Sequence, residues 1–274
     1  MITATPSHAA TDAARIPYVT ADEAYTLLRT ELERLLALAE ALSPADWTRP
    51  TACTAWTVRD ILAHQAGSYA SGTSYREMIR QYRARPRPGQ LPEDAVNDLQ
   101  LAERADRSPA DLIAEVRRLG PIAIQKWAYQ FRLVTWLGVP HPVPGILWMR
   151  HLMWVIHSRD TWMHRLDICR ATERPFEQTS GHDTRIAALV MRDVAQTLGK
   201  RLGRRAVIFD LTGVAGGVWQ IGVGDAAATI QMDALDFNIY ASGRYSYAEG
   251  RARAEVRGDA ALAEMALKHA QALY

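Results

Sequence analysis

The chain has only two cysteines in its 274 residues, Cys53 and Cys169. That excludes a disulfide framework and fits a reducing, cytoplasmic setting. Neither cysteine lies in a CxxC pair, so nothing marks a redox thiol. No apolar run is long enough to span a bilayer. The best stretch, residues 145–156, is interrupted by Arg150 and His151, so no membrane partner is expected. The opening MITATPSHAATDAARIPYVT lacks a basic start followed by an apolar core. It reads as a flexible arm over residues 1–19 rather than a leader. Neither sign of charge dominates: 32 Lys and Arg stand against 30 Asp and Glu, which argues against a nucleic-acid partner. The local basic cluster Lys200, Arg201, Arg204 and Arg205 reads as decoration of a helix C-terminus. Gly213-x-x-Gly216-Gly217 is not a phosphate loop, because no Gly-Lys-Ser/Thr follows and a strand comes next.

What is present divides the chain in two. Thr20-Ala-Asp-Glu23 opens a helix as a capping box, and Leu27, Leu28, Leu32, Leu35, Leu36, Ala39 and Leu42 continue it at helical spacing. Thr57 is the N-cap of a second helix, read as running from TVRDILAHQAG through SYREMIRQY. RARPRPGQLPED breaks the pattern, and a short helix follows near residues 93–105. Ser108 with Pro109 opens the next helix, which continues or restarts beyond Gly120-Pro121. LGVPHPVPG reads as a loop, and a long apolar helix follows it. Residues 20–175 thus hold about four long helices, the pattern of a four-helix bundle. After residue 175 come a helix, three strands (AVIFDLTG, VWQIGVG, AATIQMD), a further helix, a short strand and a last helix. Residues 181–274 read as a small separate α/β domain. The fold class is α+β in two domains, with a mostly antiparallel sheet in the second.

The chemistry concentrates in HSRDTWMHRLD, residues 157–167. His157, Asp160 and His164 fall on nearly one face of an otherwise apolar helix, with Asp167 one turn further on. Enclosed carboxylates and imidazoles need partners, whether a salt bridge, a polar network or a metal ion. Asp160 and His164, at i and i+4, can both ligate one ion. His64, inside the apolar second helix, is the best third ligand. Each feature alone is bland, since paired polar residues at this spacing and partly buried histidines are both common. The tryptophans between residues 127 and 162 read first as core and second as walls of a substrate pocket.

TAWTVRDILAHQAG resembles the second-helix motif of DinB-like proteins, and in particular of the mycothiol-dependent maleylpyruvate isomerase family. DTWMHRLDI resembles that family's later motif, and DLTGVAGGVWQIGVG, ALDFNIYASGR and VRGDAALA resemble its smaller sterol-carrier-protein-like domain. The resemblance implies a DinB-like bundle whose metal ligands map to His64, Asp160 and His164. Asp167 follows as a group orienting a ligand, and Arg244 as a catalytic clamp on a substrate carboxylate. It implies a divalent metal, zinc by ligand type, and mycothiol as thiol cosubstrate. The activity implied is addition of an activated thiol to an electrophilic small molecule, as an isomerase or an S-transferase, by a monomer or homodimer. Where the family usually has glutamate, this chain has Asp160, one methylene shorter. His157, one turn back, is then a replacement ligand or an orienting group. Two other readings stay open: a noncatalytic small-molecule binding protein, and a metal-dependent hydrolase.

Overall fold

A computed structural model of the chain describes residues 9–53, 55–142 and 145–273. They form two compact units. One is a helical bundle, Val19–Phe176, and the other combines residues 9–18 with Glu177–Leu273.

The second unit begins with β1 (Thr11–Asp12) and a 3-10 turn, Ala13–Arg15. The bundle follows with α1 (Ala21–Glu40), α2 (Val58–Gly72), α3 (Tyr75–Tyr82), α4 (Pro92–Ala102) and α5 (Pro109–Tyr129). Next come α6 (Arg132–Thr135), a hairpin of β2 (Gly138–His141) and β3 (Gly145–Trp148), and α7 (Met149–His151). A π-helical turn, Leu152–Ile156, leads into α8 (His157–Ala171). The four long helices form a ring in which α1 and α2 each pack against both α5 and α8.

Local signals account for these boundaries. The side chains of Thr20, Thr57 and Ser108 each accept a backbone N–H three residues on, and Asp60 and Asp111 complete capping boxes at the last two. Leu28, Leu35, Leu62, Leu112, Ile124 and Trp162 supply fully buried core. α5 runs unbroken through Pro121. Just before it, a Cβ on Gly120 would come within 2.6 Å of Leu32, so glycine there permits the close approach of α1 and α5.

Several expectations are corrected. The second helix is two helices: Thr73 ends α2, and Ser74, in extended conformation, caps α3. The segment read as a loop at 137–145 contains the β2–β3 hairpin, with residues 143 and 144 outside the described set. The third concerns the expected arm. Its first eight residues are outside the described set, but residues 9–18 are tied down. Thr11–Asp12 pair with Trp219–Gln220, Ala13 and Ile16 are buried, and Arg192 donates to the Ile16 carbonyl at 3.2 Å.

The second unit continues with α9 (Ser180–Leu202), β4 (Ala206–Thr212), β5 (Gly217–Gly222), β6 (Ala226–Asp233), α10 (Ala234–Ala241), α11 (Tyr247–Ala252), β7 (Glu255–Gly258) and α12 (Ala260–Lys268). Lys200 and Arg201 lie in the last turn of α9, favourable for the helix dipole. The sheet order is β1-β5-β4-β6-β7. It is mixed rather than mostly antiparallel: β4–β5 and β6–β7 are antiparallel, β1–β5 and β4–β6 parallel. One short connection makes β4 and β6 parallel. β5 returns along β4 to its start, where Gly222 faces Ala206. Residues 223–225 then carry the chain past that end, and Ala226 begins β6 on the other side of Ala206. Among the described residues no helix is long and apolar enough to cross a membrane.

Candidate metal centre in the bundle

α2 and α8 bring His64, Asp160 and His164 together. His64 Nε2 lies 3.3 Å from Asp160 Oδ2, and His164 Nε2 lies 3.3 Å from Asp160 Oδ1. One ligand atom from each of the three lies within 4.8 Å of the other two. The shorter carboxylate of aspartate therefore still reaches both imidazoles. A tetrahedral ion with bonds of ~2.0 Å has ligand-to-ligand edges of ~3.3 Å, the length of each nitrogen–oxygen separation here, one to each oxygen of the Asp160 carboxylate. Two imidazoles and one carboxylate also leave a fourth position open.

Both imidazoles are oriented from behind. His64 Nδ1 lies 2.8 Å from Gln100 Oε1. Gln100 Nε2 donates to Gln81 Oε1 at 2.8 Å, and Gln81 Nε2 donates to the Gly67 carbonyl at 3.1 Å and to Glu77 at 3.0 Å. A carbonyl and a carboxylate only accept, so this buried relay runs one way and makes His64 Nδ1 the donor. With its proton at Nδ1, His64 presents Nε2 to the Asp160 carboxylate, and a cation between the two would be bound by both. The donor set thus fits a cation. Gly67 makes room for the relay, since a Cβ there would lie 2.4 Å from Gln100 Cγ.

His164 is held by Asp167, whose Oδ2 lies 3.2 Å from Nδ1. Cys53 Sγ donates to the same carboxylate oxygen at 3.5 Å. Gln65 Nε2 donates to Asp160 Oδ2 at 2.7 Å, and its own orientation is set by Thr161 Oγ1, which donates to Gln65 Oε1 at 2.8 Å. The Trp56 ring lies 5.0 Å from the His64 ring and 5.6 Å from that of His164. Burial disfavours charge on Asp160, but His164 and His64 outweigh it and hold the carboxyl well below the usual carboxylate range. Burial also opposes charge on His164. Asp160 first, then the bonds from Asp167 and Cys53, overcome it and raise this imidazole well above the usual histidine range. The cluster as a whole favours positive charge.

His157 stands apart from the three. It stacks on Trp127, with centroids 4.0 Å apart and planes 11° apart, and Nδ1 lies 3.3 Å from Ser68 Oγ. Burial pushes its pKa down to about 4, although Asp160 pulls the other way. The unfolded chain takes up a proton near pH 6.5 that folded His157 refuses until about pH 4. Acidification across that window is therefore expected to lower the urea midpoint. The decline should be shallower in His157→Gln, and equal slopes in the two proteins would contradict the assignment.

A family model described as the mycothiol maleylpyruvate isomerase N-terminal domain matches residues 28–169, more than half of the chain. The chain belongs to the mycothiol maleylpyruvate isomerase family. The family is one of enzymes, and the matched residues contain the whole His64/Asp160/His164 cluster. Two solved structures share the fold: a mycothiol-dependent maleylpyruvate isomerase and a histidine-to-alanine mutant of it. Each is 16% identical, with a TM-score of 0.56, over 86% of this chain and 93% of that chain. No curated protein sequence matches the chain.

In this member of the mycothiol maleylpyruvate isomerase family, Arg244 belongs to the other unit. It follows α10 and the left-handed turn at Gly243, and its backbone N–H donates to the Ile239 carbonyl at 3.1 Å. Sequence reasoning missed Gln65, Gln81 and Gln100, which no local spacing ties to the histidines. Replacing Gln100 by leucine is expected to weaken cation binding about 10–100-fold, the usual cost of losing an orienting partner. Competition with a chelator measures this, and unchanged affinity would show that the relay does not set the His64 tautomer.

Proposed function

We propose that the chain is a metal-dependent enzyme using mycothiol, an isomerase or S-transferase acting on an electrophilic small molecule. The observation that carries this is the His64/Asp160/His164 cluster, with each imidazole held at Nδ1 and each Nε2 turned to Asp160. These three residues would hold a divalent cation, zinc by ligand type. When bound, it would favour the thiolate form of a thiol at neutral pH.

The protein's own part is positioning. Asp167 and Gln100 fix the two imidazoles, Gln65 fixes the carboxylate, and Trp56 shields the rings. The thiolate adds to an electrophilic carbon. With a cis alkene such as maleylpyruvate, a C–S bond forms and the former double bond rotates. Loss of the same thiolate then restores the alkene as trans, with no net gain or loss of atoms. With other electrophiles the C–S bond stays, which is S-transfer. Dependence on a cytoplasmic thiol fits the absence of any disulfide at Cys53 or Cys169.

The test is turnover of maleylpyruvate and a panel of activated alkenes and epoxides, with and without mycothiol and after chelation. Turnover that needs both thiol and cation supports the proposal. Turnover that needs the cation but no thiol would make the protein a hydrolase and overturn it. Arg244 remains the candidate clamp for a substrate carboxylate. Arg244→Lys keeps the charge and loses the bidentate fork, so KM for carboxylate substrates is expected to rise. An unchanged KM would remove Arg244 from the site.

A further inference from the structure

We propose that the bundle carries a second small-molecule site, apart from the histidine cluster, for a planar aromatic carboxylate. A cavity of 310 Å³ opens between the end of α2, the start of α3 and the end of α5. Its inner lining includes Ser71, Gly72, Trp127 and Met153, all buried, and its mouth includes the exposed Tyr75 and Lys126. Ser71 is seven residues beyond His64 on α2, about 10 Å along the helix axis at the usual rise. The cavity is therefore not the cation cluster.

Its chemistry is specific. Pockets for small ligands begin at about 300 Å³, room for one bicyclic ring system. Tryptophan, tyrosine and methionine suit a flat apolar body, because rings stack on one another and thioethers adapt to ring edges. Lys126 is the one charged side chain of the described lining, and none of that lining is acidic. The Lys126 ammonium gives one N–H to the Thr73 carbonyl, so two of its three remain for an anion. The charge offered to a ligand is that of Lys126, while the Asp22 carboxylate is taken up by the Tyr129 hydroxyl at 2.8 Å. Trp127 also carries His157 stacked on its ring, so the cavity shares a wall with a residue one turn from Asp160.

The test is calorimetric titration of the full chain with 2-naphthoate and with the neutral probe 2-naphthylmethanol. Zinc-stripped and zinc-loaded parent are compared, along with Lys126→Glu, an exposed position. Saturable naphthoate binding to the zinc-stripped parent is expected. Lys126→Glu should weaken it at least about tenfold, the worth of one charge-assisted bond. The neutral probe should bind both proteins alike. No saturable binding, equal naphthoate affinity in Lys126→Glu, or binding that requires zinc would each overturn the proposal, the last by placing the carboxylate on the cation. Because the decisive titration uses stripped protein, its outcome is separate from that of the thiol chemistry.

Discussion

Replacing either His64 or His164 by alanine is expected to abolish tight cation binding and, with it, thiol-dependent turnover. Each substitution removes one of two imidazoles from a three-ligand set whose facing atoms stand 3.3 Å apart. The effect should exceed the roughly 10–100-fold cost of losing an outer partner. Elemental mass spectrometry of the purified proteins gives the readout. Near-stoichiometric metal in the parent, lost in both variants, establishes one shared centre. No metal in the parent after incubation with zinc or nickel would leave the 157–167 face a buried polar network and sink the proposed chemistry. The two variants should differ in stability. His164 lies between Asp160 at 3.3 Å and Asp167 at 3.2 Å, so His164→Ala leaves two enclosed carboxylates without the imidazolium they face. It is expected to melt below His64→Ala, and Asp167→Asn in the same chain should recover part of the loss by removing one negative charge.

Glu31→Leu should produce the largest loss of stability in the bundle. Glu31 is fully buried on α1. Its carboxylate receives Arg165 Nε at 3.0 Å and Nη2 at 3.4 Å, with Arg34 Nη1 at 3.7 Å. The Arg165 guanidinium also lies 4.1 Å from the ring centre of Phe176. Removing the anion takes its carboxylate from a buried cation, at a cost of about 3–5 kcal/mol. For a unit of this size that lowers the thermal midpoint by roughly 10 °C. The double variant Glu31→Leu/Arg165→Met should regain much of it, because an apolar pair replaces the two most buried charges and leaves only Arg34, at 3.7 Å the more distant partner, to turn elsewhere. A single variant within about 1 kcal/mol of the parent would show that Arg165 has adequate partners elsewhere.

Much of this was legible in the residues. Thr20, Thr57 and Ser108 announce helix starts because capping is local chemistry, and the structure places caps at all three. Asp160 and His164 share a face by helical period alone. His64 joins them through packing of α2 on α8; its place inside an apolar helix marked it as a candidate, and the resemblance tied it to the other two. The Gln81–Gln100 relay could not be read, since α3 and α4 meet α2 through tertiary contacts with no sequence spacing. The π-helical turn before His157 and the parallel pairing of β4 with β6 were also beyond local signals. Strand alternation shows which residues form a strand, but not on which side of its neighbour a short connection will deliver it.

The pairing of Thr11–Asp12 with β5 has a consequence for biosynthesis. On the ribosome these residues emerge ahead of the bundle, yet their strand partner is made some two hundred residues later, after the whole bundle. The bundle can close while the chain is still growing, whereas the unit that contains β1 must wait until β5 and its neighbours are made. A fragment starting at Glu177 would also lack the cover that β1 gives part of β5. Its bare edge would invite pairing with other copies, so an isolated second unit should aggregate unless residues 9–18 are supplied with it.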